Sequence, residues 1–241
     1  MPTVHVEVDG LHLNGGEAHR AYLEAVRRDE REAHMAELFG RAVRPGALIV
    51  DVGAFLGHFT LIAARRTGSG GRVLAFEPDP RDRPWLERNV AENGFDDRVE
   101  TVGLAVSDGP GRLPLYLAEQ DRSQSSLFPT RDGGPPVEVE AVSLDGFLGG
   151  AAPDVIKIDV EGAELRALEG MRRSIARGRP ILFVEWNPEA LRRAGVLPDE
   201  LPRRIEELGY RVEPIDERRR RLLEPVFPEA TTYVNVRCVP V

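Results

Sequence analysis

Several residues in this sequence have types and spacing suited to chemistry. Lys157, Asp159 and Glu161 alternate with apolar residues along Val155-Ile156-Lys157-Ile158-Asp159-Val160-Glu161, so an extended chain puts them on one side. Glu185 and Asn187 close a second apolar run, Ile181-Leu182-Phe183-Val184, and Asp51 closes a third, Leu48-Ile49-Val50. Glu77 follows a fourth, Arg72-Val73-Leu74-Ala75-Phe76, and His58 stands just after Gly53 and Gly57. Ionisable groups on buried strands are costly unless they pair or bind something. They read either as a structural ion-pair network or as an acid–base cluster. In the second reading Asp159 and Glu185 are the acid–base and substrate-positioning pair. Lys157 neutralises one of them or holds an oxygen, and His58 is a second candidate base. Lys157 is also the only lysine among 32 basic residues, in a chain otherwise wholly given to arginine.

Each of these groups sits where an apolar run stops, and the surrounding pattern says what positions it. Leu48–Asp51 is a strand, Val52–Gly57 a tight glycine turn, and Phe59, Leu61, Ile62, Ala63 and Ala64 the start of a helix. Such a turn lets a nucleoside-bearing ligand approach backbone and helix N-terminus. A dinucleotide fingerprint begun at Gly53 needs glycine at 55 and glycine or alanine at 58. Phe55 and His58 stand there instead, so the turn suits a nucleoside without a pyrophosphate, of which S-adenosylmethionine (SAM) is the common case. Glu77, about 20 residues past the turn, is placed to accept both ribose hydroxyls. The expected cofactor contacts are Asp51, Gly53, Ala54, Phe55, Gly57, Glu77, Pro78, Ala105, Val106, Ser107 and Asp159, with the 104–108 loop at the adenine edge.

The rest of the chain alternates strands and helices. Residues 4–13 read as a hairpin and Glu17–Val43 as a charged helix capping the cleft, whose His19 and His34 read as solvated. Further strands are predicted at 72–76, 99–102, 113–117, 137–142, 153–159, 180–187, 210–213 and 231–239, with helices at 82–93 and 198–208. The polar segment Asp121–Leu127, inside an insertion at 109–142, reads as a loop able to close over a substrate. Together these elements predict an α/β class: a mostly parallel seven-stranded sheet, helices on both faces, an antiparallel last strand. One domain is expected over 1–241, with 1–45 as the N-terminal hairpin and cap and 46–241 as the core. The net charge of −8 disfavours a nucleic-acid partner, and Arg218–Arg221 reads as a solvated turn. No apolar run reaches a membrane span, and the single cysteine, Cys238, fits a buried position in a reducing cytoplasm. A homodimer stays open.

Four segments together resemble a known family: Val50-Asp-Val-Gly-Ala54, Phe76-Glu-Pro78, Val142-Ser-Leu-Asp145 and Lys157-Ile-Asp-Val-Glu-Gly-Ala-Glu164. They are similar to the FkbM family of SAM-dependent methyltransferases over residues 46–186, and the last segment is the most specific. The resemblance implies a class I Rossmann-like fold and O-methylation of natural products or sugars. It also marks departures, since the family usually has Asn at position 55 and a small or amide residue at 58.

The expected reaction is methyl transfer to a hydroxyl of a small molecule, in a pocket bounded by Phe55, Ser125, Ser126 and Trp186. A metal-free reaction is the preferred reading. The alternative is a magnesium-dependent, catechol-type enzyme with Asp159, Glu185 and Asn187 as ligands. From other classes, a NAD-dependent oxidoreductase conflicts with Phe55 and His58, and a non-catalytic SAM-binding module gains nothing from burying the charged cluster.

Overall fold

The computed structural model describes residues 3–223 and 233–241. The chain opens with the hairpin β1 (Thr3–Val8) and β2 (Leu11–Gly16), turned at Asp9-Gly10, where both residues take positive φ. β2 runs past Leu13 because Asn14 is tied to the body of the protein, its N–H on Asn89 and its Nδ2 on Glu92.

A single helix over Glu17–Val43 does not form. A 3₁₀ turn at Glu17–His19 leads to α1 (Arg20–Arg27), and after a break comes α2 (Ala33–Ala42). Asp29 and Glu32 take φ of 55° and 54°, left-handed values that no helix interior accepts. Distant partners hold the break. Asn235 Nδ2 donates to Glu32 at 2.9 Å, and Glu217 accepts the free N–H groups of His34 and Met35 at 2.8 and 3.0 Å.

The core follows as β3 (Leu48–Val52), α3 (His58–Thr67), β4 (Arg72–Phe76), α4 (Arg83–Glu92) and β5 (Val99–Val102). Next β6 (Ala105–Val106), a pair of residues just before the insertion at 109–142, forms a separate three-stranded sheet with the two strands that the insertion supplies, β7 (Gly111–Leu115) and β8 (Val137–Val142). Then come α5 (Leu144–Phe147), β9 (Val155–Ile158), α6 (Glu164–Glu169), α7 (Arg172–Gly178) and β10 (Ile181–Trp186). The chain closes with α8 (Pro188–Arg193), α9 (Glu200–Glu207), β11 (Tyr210–Asp216), β12 (Arg221–Leu222) and β13 (Val234–Pro240). The expected start of the last strand, at Thr231, lies outside the described residues.

The main sheet has the order β12-β11-β13-β10-β9-β3-β4-β5, and β13 runs antiparallel to both neighbours. Seven of its strands are those predicted. The eighth, β12, is a two-residue edge that begins at the last residue of the arginine run, of which Arg219 and Arg221 pair with Asp216 and Arg220 with Glu37 at the surface. Side chains alternate between two apolar layers. Ile49, Val73, Val155 and Phe183 pack under α2 and α3, while Val50, Leu74, Ile156 and Leu182 pack on the α6–α9 side. Each of these fully buried side chains contributes about 1.5–3 kcal/mol. The same alternation sets Asp51, Lys157 and Glu185 on the layer of Ile49, Val155 and Phe183, at the strands' carboxyl ends. Among the described residues no helix is long and apolar enough to cross a membrane.

Candidate functional site

The chain leaves β3 toward β4 and β5 on one side and returns through β9 and β10 on the other. This is the point in an open α/β sheet where ligands bind. A cleft of about 910 Å³ opens there, floored by the ends of β3, β4 and β9. Its lining includes Val52, Gly53, Ala54, Phe55 and His58 from the glycine turn, Glu77 and Pro78 after β4, and Leu104, Ala105 and Val106. Lys157, Asp159, Val160 and Glu161 come from the end of β9; Ser123, Ser125, Ser126 and Leu127 come from the insertion.

The glycine turn is built by packing within the protein. Gly53 has φ of 79°, and a Cβ there would overlap the Asp159 carbonyl oxygen; at Gly57, φ 91°, a Cβ would stand 2.6 Å from Leu86 Cδ1. Positive φ and these close approaches, to the segment just after β9 and to α4, account for both glycines within the protein itself. Phe55 between them takes φ of 51°, a strained value for a bulky side chain and an acceptable one for Asn. Its ring packs edge-on against His19 and Tyr22, at centroid distances of 5.5 and 4.9 Å. Phe55 therefore joins the turn to the N-terminal cap.

Glu77 lies on the cleft wall, 7% exposed, with one oxygen accepting Phe55 N–H at 2.7 Å and the other Asp79 N–H at 2.8 Å. Burial pushes its pKa up to about 8 against those two bonds. Asp82 stands beyond it and accepts from His19 Nε2 at 2.9 Å and Arg122 at 3.2 Å. Gly16 N–H donates to His19 Nδ1 at 2.9 Å, which leaves Nε2 as the donor to Asp82. His19 and His34 are both buried, contrary to the solvated positions expected of them, because α1 and α2 fold onto the core instead of projecting from it.

Lys157 is a buried ammonium between two carboxylates, 2.9 Å from Asp159 and 3.9 Å from Asp51, and its Nζ lies 5.1 Å from the Phe59 ring centre. Burial opposes its charge, but Asp159, Asp51 and Glu32 outweigh that and hold its pKa above the ordinary lysine value. It is a fixed cation and not a proton acceptor. Asp51 is fully buried below the floor, bonded by Thr60 at 2.6 Å, and does not line the cleft. His58 lines it, but burial and then the Lys157 charge press its pKa down to about 4, so the ring is neutral and weakly basic.

Asp159, Glu161 and Glu185 bring carboxylate oxygens within 4.8 Å of one another. Glu161, at φ 52°, begins the turn after β9; Ser126 Oγ donates to its carbonyl at 2.7 Å. Burial, then Asp159 and Glu164, push its pKa up to about 8, and burial with Glu161, Asp159 and other carboxylates raises that of Glu185 well above normal.

Some expected positions lie elsewhere. Asn187 is not placed as an oxygen ligand: its Oδ1 caps α8 at Ala190 N–H, 3.1 Å away, while its Nδ2 donates to Glu161 at 3.2 Å. Glu161 takes its place beside Asp159 and Glu185. Trp186 is no wall of the cleft. It points to the opposite layer, where its indole N–H reaches Pro198 O at 2.6 Å. Ser107 is wholly buried behind Val106, its N–H bonded to Val142 O, and Gly57 packs on Leu86, so neither lines the cleft. The Asp121–Leu127 segment lies down on the body of the protein: Ser125 Oγ donates to Asp79 at 3.1 Å, and Arg31 reaches Ser123 at 3.4 Å. Tyr22, Arg31, Glu32, Asp79, Asp82 and Arg122 line the cleft without having been found from the sequence. Only Asp79 and Asp82, shortly after Glu77, carried a local signal.

The family model described as "Methyltransferase FkbM domain" matches residues 51–212. "Methyltransferase sdnD" of Sordaria araneosa is 30% identical over 177 residues, covering 60% of this chain and 68% of that protein. "31-O-demethyl-FK506 methyltransferase FkbM" of Streptomyces tacrolimicus is 29% identical over 192 residues, 66% of this chain and 71% of that protein. A solved structure of Methyltransferase FkbM from Methylobacillus flagellatus KT superposes with a TM-score of 0.52 at 19% identity. That match covers 93% of this chain and 55% of the other, so the chain spans about half that protein's length and the likeness is one of fold.

Proposed function

The chain belongs to the FkbM methyltransferase family, and from that premise we propose that it methylates a hydroxyl oxygen of a small organic acceptor with SAM as donor. The observation that carries the reading is the Glu77 carboxylate. It is fixed on the cleft wall by two backbone N–H groups and keeps lone pairs for a ribose diol. The residues present fit an adenosyl group: Glu77 for the ribose, Pro78, Leu104, Ala105 and Val106 for the purine, and Gly53, Ala54 and Phe55 along the turn. When bound, SAM supplies an electrophilic methyl group that an acceptor oxygen displaces in line. This chain's part is alignment and charge. The neutral His58 adds no repulsion in a cleft that receives a cationic donor, and the acidic end of β9 favours one. Asp159, oriented by Lys157 at 2.9 Å, would present its carboxylate to the acceptor hydroxyl, accept its hydrogen bond and take its proton as the oxygen gains the methyl group and the demethylated donor departs. A small-molecule oxygen acceptor is also what the name of the Streptomyces tacrolimicus relative specifies for that protein.

Calorimetric titration with SAM, its demethylated product and NAD tests the donor. Saturable binding of the two adenosyl ligands and none of NAD is expected; NAD binding alone would overturn the reading. A library of hydroxylated compounds incubated with SAM, read by mass spectrometry for the gain of one methyl group, tests the acceptor class. Methyl gain only on nitrogen or carbon nucleophiles would replace it.

A further inference from the structure

The three carboxylates at the ends of β9 and β10 have a charge that the surrounding protein does not balance. Asp159 shares Lys157 with Asp51. Among the described residues the other nearby cations offset that charge only in part: Arg31 reaches Ser123 and stands 3.9 Å from Glu32, Arg193 stands 3.5 Å from Glu189, and both act on Glu161 from a distance, too weakly to outweigh its burial and the neighbouring carboxylates. Glu164 and Glu32 add two more carboxylates nearby, where Gly162 N–H and Asn235 hold them. Glu185 is 4% exposed, and its Oε2 has no hydrogen-bond partner although water does not reach it. A buried carboxylate oxygen left in this condition costs free energy unless a proton or a cation meets it.

We propose that Asp159, Glu161 and Glu185 form a binding site for one hard divalent cation of the magnesium class, with open coordination positions toward the cleft. The donors are all oxygens, with no imidazole or thiolate, which selects magnesium or manganese over zinc and copper. Their oxygens lie within 4.8 Å of one another, so an ion with ligand distances of about 2.0–2.6 Å reaches all three after small side-chain adjustments. The ligands are also held in advance. Asn187 Nδ2 fixes the Glu161 carboxylate, Ser126 Oγ fixes its backbone, and Lys157 fixes Asp159. Asp159 and Glu161 line the cleft, whereas Glu185 closes the group from behind, so water or an acceptor's oxygen completes the shell from the open side. The raised pKa values of Glu161 and Glu185 describe the same surplus of negative charge without the ion. The role of such an ion in positioning an acceptor rests on the methyl-transfer reading, but its binding does not.

Manganese serves as the probe, because its binding is seen by paramagnetic resonance without any turnover. The full chain is expected to bind one manganese ion per molecule, displaced by magnesium. Glu185→Gln and Glu161→Gln are expected to weaken it at least ~10-fold, the lower bound even for an outer-shell partner. SAM binding is measured on the same samples. If both variants keep SAM binding and lose manganese, the site stands; manganese binding unchanged in both, or absent from the wild type at millimolar ion, overturns it. If a variant loses SAM binding as well, whether through misfolding or through the lost charge in the cleft, anomalous scattering from a manganese-soaked wild-type crystal decides. A peak among the three carboxylates supports the site, and its absence there sinks it. Failure of SAM to bind the wild type would instead strike the methyl-transfer reading and leave the manganese result intact.

Discussion

Glu77 shows how one buried side chain ties ligand affinity to pH. Its carboxyl has a pKa of about 8 in the folded, ligand-free protein, against 4.5 for an ordinary glutamate. Between those values the folded state holds a proton that the unfolded state has released. Its contribution to stability therefore falls as pH rises through that window. A ribose diol donates hydrogen bonds to the ionised form, so adenosyl ligands should bind more tightly as pH rises toward 8 and then level off. The slope is at most about tenfold per pH unit, and Glu77→Gln should flatten it; calorimetry from pH 6 to 9 checks both. Lys157 carries the opposite lesson. Its isolation among arginines singled it out in the sequence, and its place between Asp51 and Asp159 accounts for that. A compact ammonium fits between two strand-borne carboxylates and over the Phe59 ring, where a planar guanidinium does not.

At the scale of elements, the strand-and-turn core was legible because its residues interact locally. β4 and β5 stand where the runs at 72–76 and 99–102 placed them, and alternation correctly set Asp51, Lys157 and Glu185 on one layer at the strands' carboxyl ends, although only Lys157 of the three lines the cleft. What was not legible depends on partners far along the chain. The break between α1 and α2 is held by Glu217 and Asn235, about two hundred residues away. Glu217→Ala removes the acceptor of two free N–H groups at the start of α2. The variant should lose about 0.5–2 kcal/mol of stability, the cost of deleting a helix cap, read as a lower urea midpoint with an unchanged slope. Trp186 and Asn187 were misplaced for separate reasons. Trp186 follows Glu185 directly, so the same alternation turns it to the opposite layer, where it meets Pro198, and Asn187 is taken up as the cap of α8, a helix of 6 residues, too short to leave a periodic signal.

For the whole molecule, the N-terminal cap and the sheet core meet at the cleft. Asn14 on Asn89, His19 on Asp82 and the Phe55 ring on Tyr22 and His19 join the first thirty residues to the turn and to α4. His19→Phe keeps an aromatic ring in that contact and removes the only imidazole bond to Asp82. The change should cost about 1–3 kcal/mol, the price of leaving a buried acceptor short of a partner. Thermal unfolding of the ligand-free protein would show it, and an unchanged midpoint would mean that the cap is held by packing alone.

The walls of the cleft also come from very different stretches of chain. The glycine turn, Glu77 and the end of β9 belong to the parallel sheet, where each residue is constrained by its neighbours, as the Cβ overlap at Gly53 shows. The facing wall comes from a three-stranded appendage and a short helical cap, neither of which takes part in the main sheet's hydrogen bonding. Ala105 and Val106, at the base of the appendage, go with the proposed adenosyl contacts, so it is the outer part, Leu115 and residues 123–127, together with the cap, that can vary while the opposite wall stays as it is. A lineage built on this plan is free to change its clientele without relearning its trade.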